Sequence, residues 1–398
     1  MNVFFFILLL FILAALLRID FFFTILYLAG GAYILARLWA GRMLKHLTVT
    51  RTMLDRAFPG EKVAVTLTFE NRSYLPIPWL MFNEVLPSAL STPPFFQEVT
   101  FLRGKARQTV HYSLTTRQRG YYQIGPLLLE TGDLLGLARR LTGRLEPAHL
   151  IVYPKVLPLT RLKLPTHSPQ VVLATPTPLF QDPNRITGVR SYVQGDNPRH
   201  IHWPASATTG QVLVKQFQPA IARDTAIFLN LNRADYSQRR AQADVAIELA
   251  IVVAASLANH IVIVDNLAVG LSTSGTDPLL QDQGHFQLLP RQGRGHLMEI
   301  LEILARVEGA DDPEFVQRLR SASTQLAWGV TIIVITGSES AELLESLLLL
   351  KQSGFPVALV LVQPAAYAYP QTKQAQELGL PLFRIRREQD VEAWIPLA

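Results

Sequence analysis

The sequence of 398 residues contains no cysteine. Its absence excludes disulfide bonds, a cysteine nucleophile and any metal site built from thiolates. The excess of one charge sign is also small, because the 37 basic residues are nearly balanced by 31 acidic ones and the net charge is +6. No run of Lys and Arg is dense enough to form the basic face typical of a nucleic-acid-binding protein. We therefore predict no nucleic-acid partner.

The common catalytic motifs are missing as well. The sequence has no GxSxG elbow, no P-loop and no GxGxxG placed after a strand. No spacing of carboxylates marks a general acid–base pair. We predict a protein that is not an enzyme and that carries no cofactor.

Hydrophobic residues, in contrast, make up 49% of the chain, and two long runs lie at its start. Residues 3–17 are uninterrupted apolar, residues 21–40 are nearly so, and Arg18 and Asp20 lie between them. A helix that crosses a bilayer needs about 20 apolar residues. A cleaved signal peptide would begin with a basic segment, but only Asn2 follows Met1. We predict a transmembrane helical hairpin over residues 1–45; a single long helix broken near Arg18 is the alternative.

The flanking charges predict the orientation of this hairpin. Four basic residues follow the second apolar run, whereas the turn between the runs is nearly neutral; the four are Arg37, Arg42, Lys45 and Arg51. Positive charge stays on the cytoplasmic side of a membrane. The protein is therefore predicted to be a multi-pass cell-membrane protein with most of its chain in the cytoplasm. A weaker interpretation makes Arg42, Lys45 and Arg51 a sensor of lipid headgroups, although anchoring explains them equally well.

The rest of the chain divides by periodicity. Residues 46–153 show period-2 stretches between turn residues, with Val63, Val65, Leu67 and Phe69 on one face, which predicts a β-sandwich of immunoglobulin-like type. Residues 154–187 are rich in proline and predict an extended connector. Residues 224–398 alternate apolar strands with helices, which predicts a doubly wound α/β domain around a parallel sheet.

Residues 188–223 between them are polar, basic and aromatic. We select seven residues as a candidate binding or structural cluster: Arg190, Tyr192, Gly195, Asp196, Arg199, Trp203 and Lys215. Arg forks and Trp faces are common anchors of recognition. They also pack to fix a loop between domains, and composition alone favours this structural role.

The spacing within this segment is similar to that of a known family. The pattern Arg190-x-Tyr192-x-x-Gly195-Asp196-x-x-Arg199-x-Ile201-x-Trp203-x-Ala205-x-Ala207 resembles the signature of domain of unknown function 58, a family of bacterial membrane proteins. The sequence departs from that signature at Pro204, Thr208 and Gln218. The resemblance implies that residues 224–398 form a von Willebrand factor A-like domain. It also implies that the protein functions together with a MoxR-type AAA+ ATPase as its partner.

The von Willebrand A resemblance further implies a place for a metal. Such domains hold a divalent cation with an Asp-x-Ser-x-Ser loop after the first strand, where this chain has Asn230 and Asn232. A second Asp is often found after a later strand, where this chain has Thr336. We expect a degenerate site without tight Mg²⁺ binding, with Asp235 as a possible displaced ligand.

Two functions therefore compete at this stage. The first is a non-enzymatic, membrane-anchored scaffold for protein interactions that works with an AAA+ ATPase at the cytoplasmic face. The second is a metal-dependent or envelope-related hydrolase that uses His200 and His202, which share one face of an extended segment, together with Asp196.

Overall fold

The computed structural model describes residues 11–12, 20–132, 141–159, 181–193, 200–219, 224–279, 282–364 and 378–394. The chain divides into two compact units. The first, called here the β unit, comprises Met1–Lys155 with Leu304–Arg306; the second, the α/β unit, comprises Val156–Ile303 with Val307–Ala398. The prediction of a multidomain chain that combines β-sheets with an α/β part is confirmed.

Helix α1 (Asp20–Met43) contains the second apolar run of the sequence and continues into a 3₁₀ turn, Leu44–His46. Several of its apolar side chains are exposed, Tyr27, Leu28 and Leu35 among them. Most of the first apolar run lies outside the described residues, so the predicted hairpin has one described arm. Within the described ranges, one helix is long and apolar enough to cross a bilayer, Arg240–Val264, and 61% of its apolar window is buried inside the protein.

Ten strands lie in the described part of the β unit. They are β1 (Leu47–Thr52), β2 (Arg56–Ala57), β3 (Lys62–Asn71), β4 (Ile77–Val85), β5 (Phe95–Leu102), β6 (Arg107–Thr115), β7 (Gly120–Ile124), β8 (Leu127–Thr131), β9 (Leu141–Leu145) and β10 (Ala148–Val152). They form three sheets in the orders β1-β3-β6, β2-β10-β7 and β5-β4-β8-β9.

Alternation along the strands places one face of each sheet in the core. Val63, Val65, Leu67 and Phe69 of β3 are all buried, as period 2 predicts. One core cluster joins residues of β3 and β6 to residues of β4, β5 and β8, so two of the sheets pack face to face. Trp39 of α1 packs against the same cluster.

The α/β unit is built on a six-stranded sheet. Its strands are β13 (Thr225–Leu229), β14 (Val269–Asp277), β15 (Asp282–Arg291), β16 (Thr331–Thr336), β17 (Val357–Val362) and β18 (Leu382–Ile385). The order is β15-β14-β13-β16-β17-β18, with β15 antiparallel at one edge and the others parallel. Every residue of β13, β16 and β17 is buried, as expected for strands covered on both faces.

Seven helices of this unit are described: α2 (Trp203–Thr209), α3 (Arg233–Tyr236), α4 (Arg240–Asn259), α5 (Arg294–Arg306), α6 (Phe315–Ser323), α7 (Ala341–Gln352) and α8 (Glu388–Ala393). The long apolar helix α4, extended by a π turn at His260–Val264, is thus a core helix of this unit. The start of the predicted connector packs here too, because Leu157 is buried and its N–H donates to Ser256 Oγ on α4 at 2.9 Å.

Candidate functional site

The signature segment forms two paired strands that are joined through a short helix. Strands β11 (Gln181–Ser191) and β12 (Leu213–Pro219) pair antiparallel, with Arg190 opposite Val214 and Val189 opposite Lys215. Strand β11 starts at Gln181, so it includes the last residues of the connector that was predicted over residues 154–187. Helix α2 lies between the two strands in sequence.

Local hydrogen bonds fasten α2 to β12. The Nδ1 atom of His202 accepts from the N–H of Ala205 at 3.1 Å and caps the helix at its start. Gly210 ends it in the left-handed region, with φ of 71°. The N–H of Leu213 donates to Ser206 Oγ at 2.9 Å, and that of His202 donates to Leu213 O at 2.8 Å. The helix is therefore held in a fixed place beside the strand.

This hairpin presents large apolar side chains to solvent. Trp203 is 67% exposed, Val193 61%, Val212 47% and Tyr192 40%. Their backbones are neighbours, because the N–H of Tyr192 donates to Val212 O at 2.9 Å and Trp203 follows His202, which is bonded to Leu213. Exposed aromatic and aliphatic side chains held on a fixed backbone are typical of a surface that binds a partner. We call Tyr192, Val193, Trp203 and Val212 the hairpin patch.

The seven residues of the predicted cluster have different positions. Arg190 is exposed on β11, with its guanidinium donating to Ser191 O at 3.1 Å, and Lys215 is half-buried on β12. Tyr192 and Trp203 belong to the hairpin patch. Gly195, Asp196 and Arg199 lie outside the described residues. The hairpin brings the described members to one small element, and the role of the cluster stays a prediction.

The histidine pair takes up separate positions around the start of α2. His202 uses Nδ1 to cap the helix, and His200 is half-buried. Among the residues that the structure describes, no group of three His, Asp or Glu side chains is placed to hold a metal ion.

A second polar site lies at the carboxyl ends of β13 and β16. Asn230 Nδ2 donates to Asp235 Oδ2 at 2.7 Å and to Thr336 Oγ1 at 3.0 Å. Asn232 Nδ2 donates to the same oxygen of Asp235 at 3.0 Å, and the N–H of Asn232 donates to Asn230 Oδ1 at 2.9 Å. The hydroxyl of Tyr236 donates to Asn230 O at 2.6 Å. The predicted residues thus meet, and Asp235 joins them.

The network continues through Asn232 to a buried carboxylate. The N–H of Asp312 donates to Asn232 Oδ1 at 3.2 Å, and Ser274 of β14 donates its hydroxyl proton to Asp312 Oδ2. Arg318 of α6 forms ion pairs with Asp312 and with Glu314. Burial lowers the pKa of the Arg318 guanidinium.

This donor set does not fit a divalent cation. Mg²⁺ and Ca²⁺ require several oxygen atoms that converge on one point. Here two amide NH₂ groups point at the Asp235 carboxylate, and the amide oxygen of Asn230 already accepts a backbone N–H. The amides satisfy the carboxylate in the way that a cation would otherwise do.

The sequence analysis did not select Asp312, which belongs to the polar network of the α/β unit. The dipeptide Asp312-Pro313 before α6 is a turn signal that could have indicated it. Arg51, expected near the membrane, is buried instead: its side chain is 4% exposed and forms an ion pair with the fully buried Glu84. Arg51 lies directly opposite Leu67 across β1 and β3, so its side chain points to the core face. This is a correction to its expected role as a headgroup ligand.

The match to known proteins covers this same part of the chain. Residues 188–370 match the family model described as "Protein of unknown function DUF58". The match begins at the hairpin and runs through β17 of the α/β unit. The chain is also 24% identical over 241 residues to the "Uncharacterized protein YeaD" of Bacillus subtilis (strain 168). That alignment covers 58% of this chain and 58% of the relative, so the chain spans less than two thirds of the relative's length.

Solved structures give only faint likenesses. The CARDB domain of the PF1109 protein from Pyrococcus furiosus is 14% identical with a TM-score of 0.20, over 27% of this chain and 91% of that domain. The alkylpurine DNA glycosylase AlkC of Pseudomonas fluorescens is 14% identical, also with a TM-score of 0.20, over 27% of this chain and 30% of that protein. Likeness at this level indicates neither fold nor function.

Proposed function

We propose that the protein is a membrane-anchored, non-enzymatic scaffold that binds a protein partner through the hairpin patch. The proposed partner is a MoxR-type AAA+ ATPase at the cytoplasmic face. The observation that carries the proposal is the exposure of Trp203, Val193 and Tyr192 on an element fastened by its own hydrogen bonds. Such preorganisation lowers the entropy lost on binding.

The charge around the patch supports an acidic partner surface. Arg190 lies two residues before Tyr192 and points to the same face of the hairpin, whereas Lys215, opposite Val189, points to the other face. Between residues 188 and 217 the sequence contains a single acidic residue, Asp196. Positive charge beside an apolar centre accelerates encounter with an acidic surface and disfavours basic ones.

We also propose a fold type for each of the two units. The α/β unit is proposed to be von Willebrand A-like, because its polar loop after β13 lies where ligands bind in open α/β sheets and contains Asn230 and Asn232. With amides in place of carboxylates, we propose that this edge is a structural network. The β unit is proposed to be an immunoglobulin-like sandwich, since two of its sheets pack face to face.

Anchoring in the membrane is supported by α1. This helix extends over 24 residues, its apolar stretch is Phe23–Leu35, and Tyr27, Leu28 and Ile34 are exposed along one of its faces. A helix of this kind is stable when lipid surrounds it. We propose that α1 spans the bilayer with the first apolar run as the second arm of a hairpin, and that both units lie in the cytoplasm.

The test is photo-crosslinking in membranes with a crosslinker at Val212. Tyr192→Ala/Trp203→Ala is compared with Trp328→Ala, which removes a tryptophan of similar exposure (72%) elsewhere in the same unit. We expect the double variant to lose about 30-fold or more in capture of the ATPase, as removal of interface anchors does, while Trp328→Ala captures normally. Equal capture by all three proteins would refute the proposed site. Loss of thermal stability in the double variant alone would show that the patch is structural.

A further inference from the structure

We propose that one end of the β unit docks on anionic lipid headgroups. This end consists of residues 72–76, between β3 and β4, and residues 103–106, between β5 and β6; we call it the basic tip. The inference rests on the proposed anchoring by α1 and adds to it a surface and a class of ligand. The residues of the tip differ from Arg42, Lys45 and Arg51, which the sequence indicated as a headgroup sensor, although Lys45 adjoins the tip.

Asn71 builds the tip. Its fully buried side chain donates from Nδ2 to Leu75 O at 2.8 Å and to Arg103 O at 3.1 Å, and so ties both loops together. Its Oδ1 accepts from the N–H and the hydroxyl of Ser73 at 3.0 and 2.7 Å. The N–H of Lys105 donates to Ser73 O at 2.8 Å. The two loops therefore form one fixed surface.

Gly104 makes this close approach possible. A Cβ atom at this position would lie 2.1 Å from Tyr74 O, which is backbone and has no room to move. The tip is thus a specific construction in which one loop lies directly on the other.

The tip adjoins the exit of α1. The N–H of Arg72 donates to His46 O at 2.9 Å, in the 3₁₀ turn that ends the helix. Trp39 of α1 donates from Nε1 to Pro76 O at 3.1 Å and packs on the core of the β unit. These two bonds attach the tip to the last turns of α1, so a helix in the bilayer brings the tip to the headgroup layer.

The exposed side chains of the tip match that layer. Tyr74 is 86% exposed and Leu75 42%. Lys105 Nζ lies 4.6 Å from the centre of the Tyr74 ring. Aromatic rings with a polar end concentrate at the headgroup level, where cations pair with anionic lipids.

The charge at the tip is almost all positive. The exposed basic residues of the tip are Arg72, Arg103 and Lys105, and the exposed Lys45 and Arg107 adjoin it. Within residues 70–76 and 102–107 the one acidic residue is Glu70, which pairs with Arg72 at 3.5 Å. Charge complementarity together with the attachment to α1 favours a lipid surface over a soluble acidic protein.

Because the sequence contains no cysteine, a single introduced cysteine can be spin-labelled at one defined position. A nitroxide is attached at Tyr74→Cys in the full chain, and a second protein carries it at Ser88→Cys, an exposed position at the opposite end of the β unit. Both are reconstituted in vesicles of phosphatidylcholine alone and with one third phosphatidylglycerol. Collision with oxygen, which enters lipid, is compared with collision with a water-soluble nickel chelate.

We expect the label at position 74 to favour oxygen in the anionic vesicles and the label at position 88 to favour the chelate in both. Arg103→Gln/Lys105→Gln should lower the ratio of docked to free tip by about 25-fold, at about fivefold for each charge. The control Lys62→Gln/Arg117→Gln, which neutralises exposed charges at the far end of β3 and β6, should leave the ratio unchanged.

The contrary results separate this inference from the proposed function. If the protein floats with the vesicles but position 74 collides with the chelate as often as position 88, anchoring stands and lipid docking is wrong. If position 74 becomes shielded only when a soluble protein is added, the occupant is a protein and the inference is again wrong. If the chain does not associate with vesicles at all, the proposed anchoring fails and the inference falls with it.

Discussion

The buried ion pair of the β unit offers the sharpest prediction about stability. Glu84 has no exposed surface, and Arg51 has 4%. Glu84 also accepts from the Tyr112 hydroxyl at 2.6 Å, and Arg51 donates to Glu146 O at 3.0 Å. Replacement by Glu84→Gln keeps the shape but leaves the guanidinium buried without a counter-charge. Breaking a buried pair in this way costs about 3–5 kcal/mol.

The assay is hydrogen exchange followed by mass spectrometry on the whole chain. A loss of about 3–5 kcal/mol corresponds to exchange about 160- to 4,700-fold faster in β3, β4 and β6, limited by the stability of the unit itself. Strands β13 and β16 of the α/β unit serve as an internal reference. The matched variant is Glu70→Gln, because Glu70 pairs with Arg72 in an exposed position and such pairs contribute about 0–1 kcal/mol.

The reasoning would be refuted by similar exchange in Glu84→Gln and Glu70→Gln. That result would mean that water or a rearranged hydrogen bond compensates Arg51 in the variant. It would also imply that the measured stability of the β unit comes from its apolar core alone.

Three further predictions concern single residues. Burial, and then the charge of Glu84, raise the pKa of Tyr112 above its ordinary value of 10. The β unit should therefore lose stability as pH rises above about 10, where only the unfolded chain ionises. Urea titrations of Tyr112→Phe should show a flatter dependence of stability on pH in that range, and a loss of about 1.5–3 kcal/mol at neutral pH. Asp235→Ala removes the acceptor for the amides of Asn230 and Asn232, and should cost about 1–3 kcal/mol, seen as faster exchange at the ends of β13 and β16; unchanged exchange would mean that the network contributes nothing. Gly210→Ala has open space for its Cβ but keeps a φ of 71°, so it should cost about 1 kcal/mol, measured as faster proteolysis near α2, whereas Thr209→Ala should have a smaller effect.

Sequence periodicity predicted the strands better than the polar sites. The alternation in β3 follows from burial on one face, and the mainly apolar runs of β13, β16 and β17 follow from burial on both faces. The same rule places Glu84 on the core face, two residues after Phe82, so this buried carboxylate had a readable signal.

Other features depend on contacts that no local pattern contains. Asn71 belongs to a sequon-like triplet, yet its role comes from its approach to Arg103, 32 residues away. Arg51 follows a basic cluster in the sequence, but pairing with β3 turns it inward. The exposure of Trp203 was equally unreadable, since tryptophan in a polar segment occurs both in packed loops and in binding surfaces.

The strand order of the α/β unit also has a consequence in time. Strand β13 lies in the middle of the sheet, between β14 and β16. Its end at Asn230 bonds to Thr336, which is 106 residues further along the chain. At about 5–20 residues per second, the ribosome needs about 5–20 s to supply β16 after β13. During that interval β13, which is fully buried in the finished sheet, lacks its partner on at least one edge, so the nascent chain is prone to aggregation until β16 emerges.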